Sequence, residues 1–201
     1  MFVSTAHLDP WWYAYLLGLY LGGGWVGATG RTVALVIRLD LAFPRIIDDC
    51  IAAACLALPG ARVVAYPVKG QRCVGVTSYD RRWLELFPQA GPGRKHERPV
   101  VLEPWQRRIV DVQPEPFLRG LIHSDGCRVI NRFSTRLPSG RVAEYAYPRY
   151  FFSNLSADIR GLFCESCERL GVRWTQSNHR NISVSHRHSV AILDAFIGPK
   201  R

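Results

Sequence analysis

No run of apolar residues in this chain approaches the eighteen or so needed to cross a bilayer. The one apolar stretch near the start, Trp11–Leu21, is short, and it lacks the basic leader and small-residue cleavage site of a signal peptide. A soluble, cytoplasmic protein is expected. Lysine is scarce: only Lys69, Lys95 and Lys200 among 26 basic residues. Acidic residues are outnumbered, 16 to 26, for a net charge of +10. A second CxxC is absent. Cys164-Glu-Ser-Cys167 stands alone in a helical stretch, so the six cysteines read as free thiols rather than as a zinc site or disulfides.

Hydrophobic residues make up 48% of the 201, enough for a sizeable core. The positive charge is not a tail. Residues 1–100 carry 11 basic and 7 acidic groups, and residues 101–201 carry 15 and 9. Basicity spread over a globular surface most often serves contact with phosphate, so nucleic acid is the expected partner class.

The chain repeats itself. Leu16–Trp25, LLGLYLGGGW, aligns with Leu118–Cys127, LRGLIHSDGC, at a constant offset of 102. The segments downstream of the two copies are parallel: two β-rich runs about a turn, a helical stretch (44–58 and 156–171), a second hairpin, a short helix, then a Gly-Pro turn ending in a lysine, Lys95 or Lys200. Each half reads helix, hairpin, helix, hairpin, helix. The expected organisation is a first repeat at 1–95, a Pro-rich linker at 96–116 with an amphipathic stretch at 104–112, and a second repeat at 117–201.

The first repeated helix has Asp9 placed to cap it, Pro10 at its first position and Gly24 to end it in a left-handed turn. Its second copy is expected from about Pro116 to Gly126. Small residues stand four apart on one face of each copy: Gly18 and Gly22, Gly120 and Ser124. Glycine inside a helix costs about 1 kcal/mol against alanine, so four such positions need a reason. Close approach of the two helix backbones about a pseudo-twofold axis supplies one. The C-terminal ends of the helices would then converge, bringing Asp125 beside its register mate, Gly23. A carboxylate at a helix C-terminus opposes the helix dipole, a placement that suggests a functional use such as holding a divalent cation.

These two segments resemble the paired LAGLIDADG motifs of the homing endonucleases. The order of elements matches that family's repeat, and the similarity covers nearly the whole chain. It extends to free-standing bacterial members, some of them labelled transcriptional regulators. The resemblance implies an α+β fold of two tandem αββαββα repeats with pseudo-twofold symmetry. It implies a monomer, no membrane, and a saddle of two sheets on double-stranded DNA. It further implies that the penultimate residue of each motif is a metal-binding acid, with magnesium as cofactor. By position that role falls on Asp125 and on Gly23, which cannot perform it. The catalytic lysine of the family is carried to Lys95 and Lys200.

DNA contacts are expected from Arg31 and Arg38 in the first hairpin and from Lys69 and Arg72 in the second. In the other half they are expected from Arg128, Arg132, Arg136 and Arg141, with Tyr145, Tyr147 and Arg149 on the returning strand and Asn131 on the opposite face. Tyrosine and tryptophan are otherwise expected in the core rather than as platforms for bases. A two-stranded ribbon fits the major groove. Two readings stay open: a sequence-specific DNA-binding protein impaired in double-strand cleavage, and a metal-dependent endonuclease or nickase using Asp125. An RNA-binding maturase ranks last, for want of an RNA-recognition signature.

Overall fold

The computed structural model describes residues 8–198 and 200. The first half runs α1 (Pro10–Gly23), β1 (Gly24–Thr29), β2 (Thr32–Asp40), α2 (Pro44–Ala57), β3 (Arg62–Pro67), β4 (Cys73–Tyr79) and α3 (Trp83–Leu86). After a 3-10 turn at Lys95–Glu97, α4 (Pro104–Val112) leads into the second half. That half runs α5 (Pro114–Asp125), β5 (Gly126–Arg136), β6 (Val142–Ser153), α6 (Ala157–Arg169), β7 (Thr175–Gln176), β8 (Asn181–Val184) and α7 (Arg187–Phe196). Two four-stranded antiparallel sheets result, ordered β1-β2-β4-β3 and β5-β6-β8-β7. The identical strand order is the repeat expressed in three dimensions.

The helix α1 starts as its sequence demands: the Asp9 carboxylate accepts the Trp12 N–H at 3.0 Å, and Pro10 comes next. Every residue from Tyr13 to Leu21 is buried. A helix apolar all round must lie inside the protein. The helix α1 packs along α5, with α2 also against it. The end of α1 differs from expectation. Gly24 is extended (φ −86°, ψ 163°), not left-handed. Its glycine is needed for room, because a Cβ there would lie 2.6 Å from the Tyr20 Cα. Gly126 is extended too (φ −112°, ψ 172°), and a Cβ would lie 2.8 Å from the Ile122 Cα. In both halves the chain thus turns from helix straight into strand.

The pairing of α1 with α5 has the symmetry of the repeat. A Cβ on Gly18 would strike the Phe117 carbonyl and lie 2.8 Å from the Leu121 nitrogen and 3.0 Å from the Gly120 Cα. A Cβ on Gly120 would strike the Tyr15 carbonyl and lie 2.9 Å from the Leu19 nitrogen and 3.0 Å from the Gly18 Cα. Each contact of one set maps onto the other at the offset of 102. One turn on, a Cβ on Gly22 would run into the Ser124 hydroxyl.

The amphipathic stretch at 104–112 is α4, and the second motif helix begins at Pro114, so the end of the 96–116 segment already belongs to that helix. The segment is docked, not loose. Buried Gln106 donates to the Tyr13 hydroxyl at 2.8 Å and accepts from Gln89 at 2.6 Å, while Tyr13 donates to the Leu86 carbonyl at 2.6 Å. On its other side α4 is ion-paired to α6 through Arg107–Glu165 at 2.5 Å and Asp111–Arg169 at 2.8 Å. Of the closing Gly-Pro turn, Pro199 lies outside the described residues. Among the described residues no helix is long and apolar enough to cross a membrane.

Candidate nucleic-acid interface and the cavity at the helix ends

The C-termini of α1 and α5 meet, as their packing requires. They open into a cavity of about 340 Å³ lined by Gly22, Gly23, Lys95, Asp125, Asn154 and Arg180 among others. Gly23 and Asp125 face each other here: a Cβ on Gly23 would lie 4.0 Å from the Asp125 Oδ1. The Asp125 carboxylate accepts the Asn154 side-chain N–H at 2.9 Å. Burial raises its pKa, opposed by that hydrogen bond and by Lys95 and Lys200. Among the described residues no three ligating side chains of the His, Cys, Asp and Glu types come together.

The two lysines occupy equivalent positions. Lys95 donates to the Tyr20 carbonyl and, at 3.0 Å, to the Leu21 carbonyl. Lys200 donates to the His123 carbonyl at 3.0 Å. Leu21 and His123 are register mates, so each ammonium sits on the same orphan carbonyl of its own half's motif helix. Each is also near a ring: Lys95 lies 4.4 Å from the centre of Tyr20, and Lys200 lies 5.7 Å from that of Phe43. Burial pulls the Lys95 pKa down to about 7, against the upward pull of Asp125. Burial lowers that of Lys200 as well, against Cys127, Asp125 and Asp40. Asp125 therefore feels both lysines electrostatically, Lys95 from the cavity wall and Lys200 from outside its lining.

Asn154, which holds Asp125, was not anticipated from the sequence. It lies just after β6, in a turn where its side chain also accepts the Ser156 N–H at 2.9 Å. An asparagine after a strand carries no signal of the acid it will meet 29 positions away. Arg180 at the cavity edge was missed for the same reason.

Strand register decides which cations share a face. In the first sheet Val33, Leu35, Ile37 and Leu39 point into the core, so Arg38 points outward. Trp25, 46% exposed, and Tyr66, 43% exposed, share that outer face through the pairs Trp25–Val36 and Tyr66–Gly75. Arg31 lies exposed in the β1–β2 turn, and Lys69 and Arg72 in the β3–β4 loop. Arg62 joins the outer face through Tyr79, an unanticipated member.

In the second sheet Tyr150 and Phe152 are buried, and Arg128 pairs with Tyr150. Arg128, Arg132 and Arg136 therefore lie on the helix-side face of β5. The opposite face carries Val129, Asn131 and Phe133 against Arg149, Tyr147 and Tyr145. The expectation that the arginine row would continue into Tyr145, Tyr147 and Arg149 is corrected: the register puts Asn131 with those three instead. Arg128 is bound to the protein itself. Its guanidinium grips Asp194 at 2.7 and 2.9 Å, and Tyr150 donates to the same carboxylate at 2.6 Å. The arm beyond is solvent-exposed on both faces, so Arg132, Arg136 and, in the turn, Arg141 stay free to reach a ligand. Phe133, Tyr145 and Tyr147 form a stacked cluster with ring centres 5.3 to 6.2 Å apart. The expectation of tyrosine and tryptophan in the core holds for Tyr13, Tyr15, Tyr20, Tyr150 and Trp83, but Trp25, Tyr66 and Tyr147 are on the surface.

The architecture is that of a two-repeat α+β protein with its motif helices paired at the centre and a sheet on either side. No family model matches the sequence, and no curated protein matches it by sequence. Solved structures do. I-DmoI in complex with DNA and Mn superposes with a TM-score of 0.61 at 14% identity, covering 94% of this chain and 97% of that one. The homing endonuclease I-WcaI bound to its DNA recognition sequence gives 0.58 at 9% identity, covering 96% and 83%. The LAGLIDADG meganuclease I-AabMI bound to uncleaved DNA gives 0.55 at 11%, covering 94% and 83%. At such identities the likeness is one of fold: the chain has the fold of the LAGLIDADG homing endonucleases along nearly its whole length.

Proposed function

We propose that the chain is a sequence-specific double-stranded DNA-binding protein of the LAGLIDADG homing-endonuclease type, impaired in double-strand cleavage. The observation that carries this is the lone carboxylate at the junction of α1 and α5. Gly23 stands where a Cβ would come within 4.0 Å of the Asp125 carboxylate, so a second acid would complete a pair there, and none is present. The donor set fits a divalent cation poorly. It offers one carboxylate, already hydrogen-bonded to Asn154, with the amine of Lys95 on the same cavity wall. Magnesium would be held weakly, through Asp125, phosphate and water.

In this reading the outer faces of the two sheets and the arm Gly126–Ser153 lie along the major groove. Arg31, Arg38, Lys69 and Arg72 serve one half-site, and Arg132, Arg136, Arg141 and Arg149 the other. Arg128 buttresses the arm through Asp194. Lys95 and Lys200 hold the helix ends, and Lys95, on the cavity wall, turns its amine towards a phosphate lying over the cavity. Regulation by binding, without cutting, is the role that suits such a molecule.

The alternative, a metal-dependent nickase, is favoured by the retention of Asp125 at the helix ends. The test is a supercoiled plasmid carrying a selected site, incubated with magnesium or manganese. Retained binding with no linear product is the expected result, with at most slow nicking that disappears in Asp125→Ala. Efficient linearisation by the unmodified protein would overturn the proposal.

A further inference from the structure

The arm formed by β5 and β6 carries side chains that the core does not use. Phe133, Tyr145 and Tyr147 lie together on its outer face, with Phe133 48% and Tyr147 50% exposed. Phe133 pairs directly with Tyr145, and Tyr147 stands one rung nearer the body of the protein. The three ring centres are 5.3 to 6.2 Å apart, so the rings form one continuous apolar surface. We propose that this cluster reads the 5-methyl groups of thymine, so that the half-site under the second sheet holds a short run of A·T pairs. The proposal rests on the reading of the chain as a duplex-DNA-binding protein and names the sequence class that one of its arms prefers.

Packing within the protein does not account for these rings. At the offset of 102 Phe133 corresponds to Arg31, in the β1–β2 turn. The strands β5 and β6 have 11 and 12 residues where β1 and β2 have 6 and 9, so the cluster stands on length that the first half lacks. The exposed rings of the first sheet are different. Trp25 lies across Gly27 and Tyr66 across Gly75, where an added Cβ would crowd each ring. Those two rings fill space that a glycine leaves. The rungs of the arm cluster, Asn131–Tyr147 and Phe133–Tyr145, hold no glycine. Three exposed rings in mutual contact make an apolar patch, and such patches mark contact sites.

Charge selects the partner. Arg149 stands on the same face, one rung nearer the body than Tyr147, and Arg132, Arg136 and Arg141 project from the same arm. The apolar surface must therefore meet an apolar group carried by a polyanion. The apolar group that duplex DNA presents in its major groove is the C5 methyl of thymine. Asn131, paired with Tyr147 across the ribbon, supplies the matching contact, because an asparagine amide fits N6 and N7 of adenine. Successive rungs on one face are about 6.8 Å apart, and base pairs about 3.4 Å, so the two aromatic rungs span about three base pairs. The rings cover one another's faces in part, which suits a methyl group better than the full face of an unpaired base.

The experiment starts from duplexes that the intact protein selects out of a randomised pool. A run of A·T pairs is expected in one half of the selected site. The thymines of that run are then replaced by uracil, which keeps every hydrogen bond and removes only the methyl. Affinity should fall about fourfold for each methyl lost. The double variant Phe133→Ala with Tyr147→Ala should bind the thymine and uracil duplexes alike and keep the salt slope of the parent, because both positions are exposed and uncharged. Selected sites without such a run, undiminished binding to the uracil duplex, or a variant that still separates thymine from uracil would overturn the proposal and leave duplex recognition standing. A preference for the single strand over the duplex would overturn it as well. Absence of binding to any duplex would overturn both this proposal and the function on which it rests.

Discussion

Replacing Gly18 by alanine puts the central helix pairing to a quantitative test. In an unconstrained helix the change would stabilise by about 1 kcal/mol. Here the new methyl would meet the Phe117 carbonyl, with the Leu121 nitrogen at 2.8 Å and the Gly120 Cα at 3.0 Å. All three are backbone atoms of α5 and cannot rotate away. The helices must part, and overpacking of this kind costs about 1–3 kcal/mol, with further loss where Tyr13–Leu21 loosens against α5. The backbone nature of the obstacle places the cost at the top of that range or beyond it, so a net destabilisation of about 2 kcal/mol is expected. For a chain of this size that is a drop of about 4–8 °C in Tm. Gly161 is the internal control. It lies within α6, and nothing stands within 4 Å of where its Cβ would be, so Gly161→Ala should stabilise by up to about 1 kcal/mol. The double variant Gly18→Ala with Gly120→Ala should cost less than the sum, because each glycine meets the other's Cα and one separation relieves both. Chemical denaturation of the variants beside the parent reads this directly. A Gly18→Ala protein as stable as the parent would refute the close approach of α1 and α5.

Gly23→Asp should raise magnesium affinity by at least tenfold, since it sets a second carboxylate beside Asp125; a metal titration showing no change would mean that the two helix ends do not cooperate. Arg132→Ala with Arg136→Ala should weaken duplex binding and lower the salt slope by up to about 2, whereas Arg128→Ala should lower the melting temperature with a smaller effect on the slope, because its charge is already paired with Asp194. A filter-binding series over salt separates the two outcomes. The Asp194 carboxyl is held below its usual pKa chiefly by the Arg128 hydrogen bonds, so its stabilisation is present above the unfolded value near 4 and is lost as pH falls through the folded one. The pair is about one-third exposed, which limits the contribution to about 1 kcal/mol. Asp194→Asn should therefore show a shallower loss of stability as pH falls below about 4, and an unchanged acid limb would mean that this ion pair does not contribute.

The amino-acid sequence by itself determined the repeat, the order of elements and the pairing of the motif helices. Those rest on local and periodic information: glycine and serine four apart, alternating apolar runs, and a constant offset of 102. It also placed Lys95 and Lys200 as equivalents, and their ammonium groups sit on register-matched carbonyls. The tertiary structure decided the rest. Which face of β5 is outward depends on where Tyr150 and Phe152 are buried, and a period-two pattern of arginines on a solvated arm contains no such information. The partners of Asp125 and Arg128, Asn154 and Asp194, come from 29 and 66 positions away. Spacing along the chain cannot report contacts that exist only once separate elements have packed. The glycines ending the motif helices make the same point: a left-handed turn is the local expectation, but the structure keeps an extended backbone there and uses the missing side chain to let helix and strand touch.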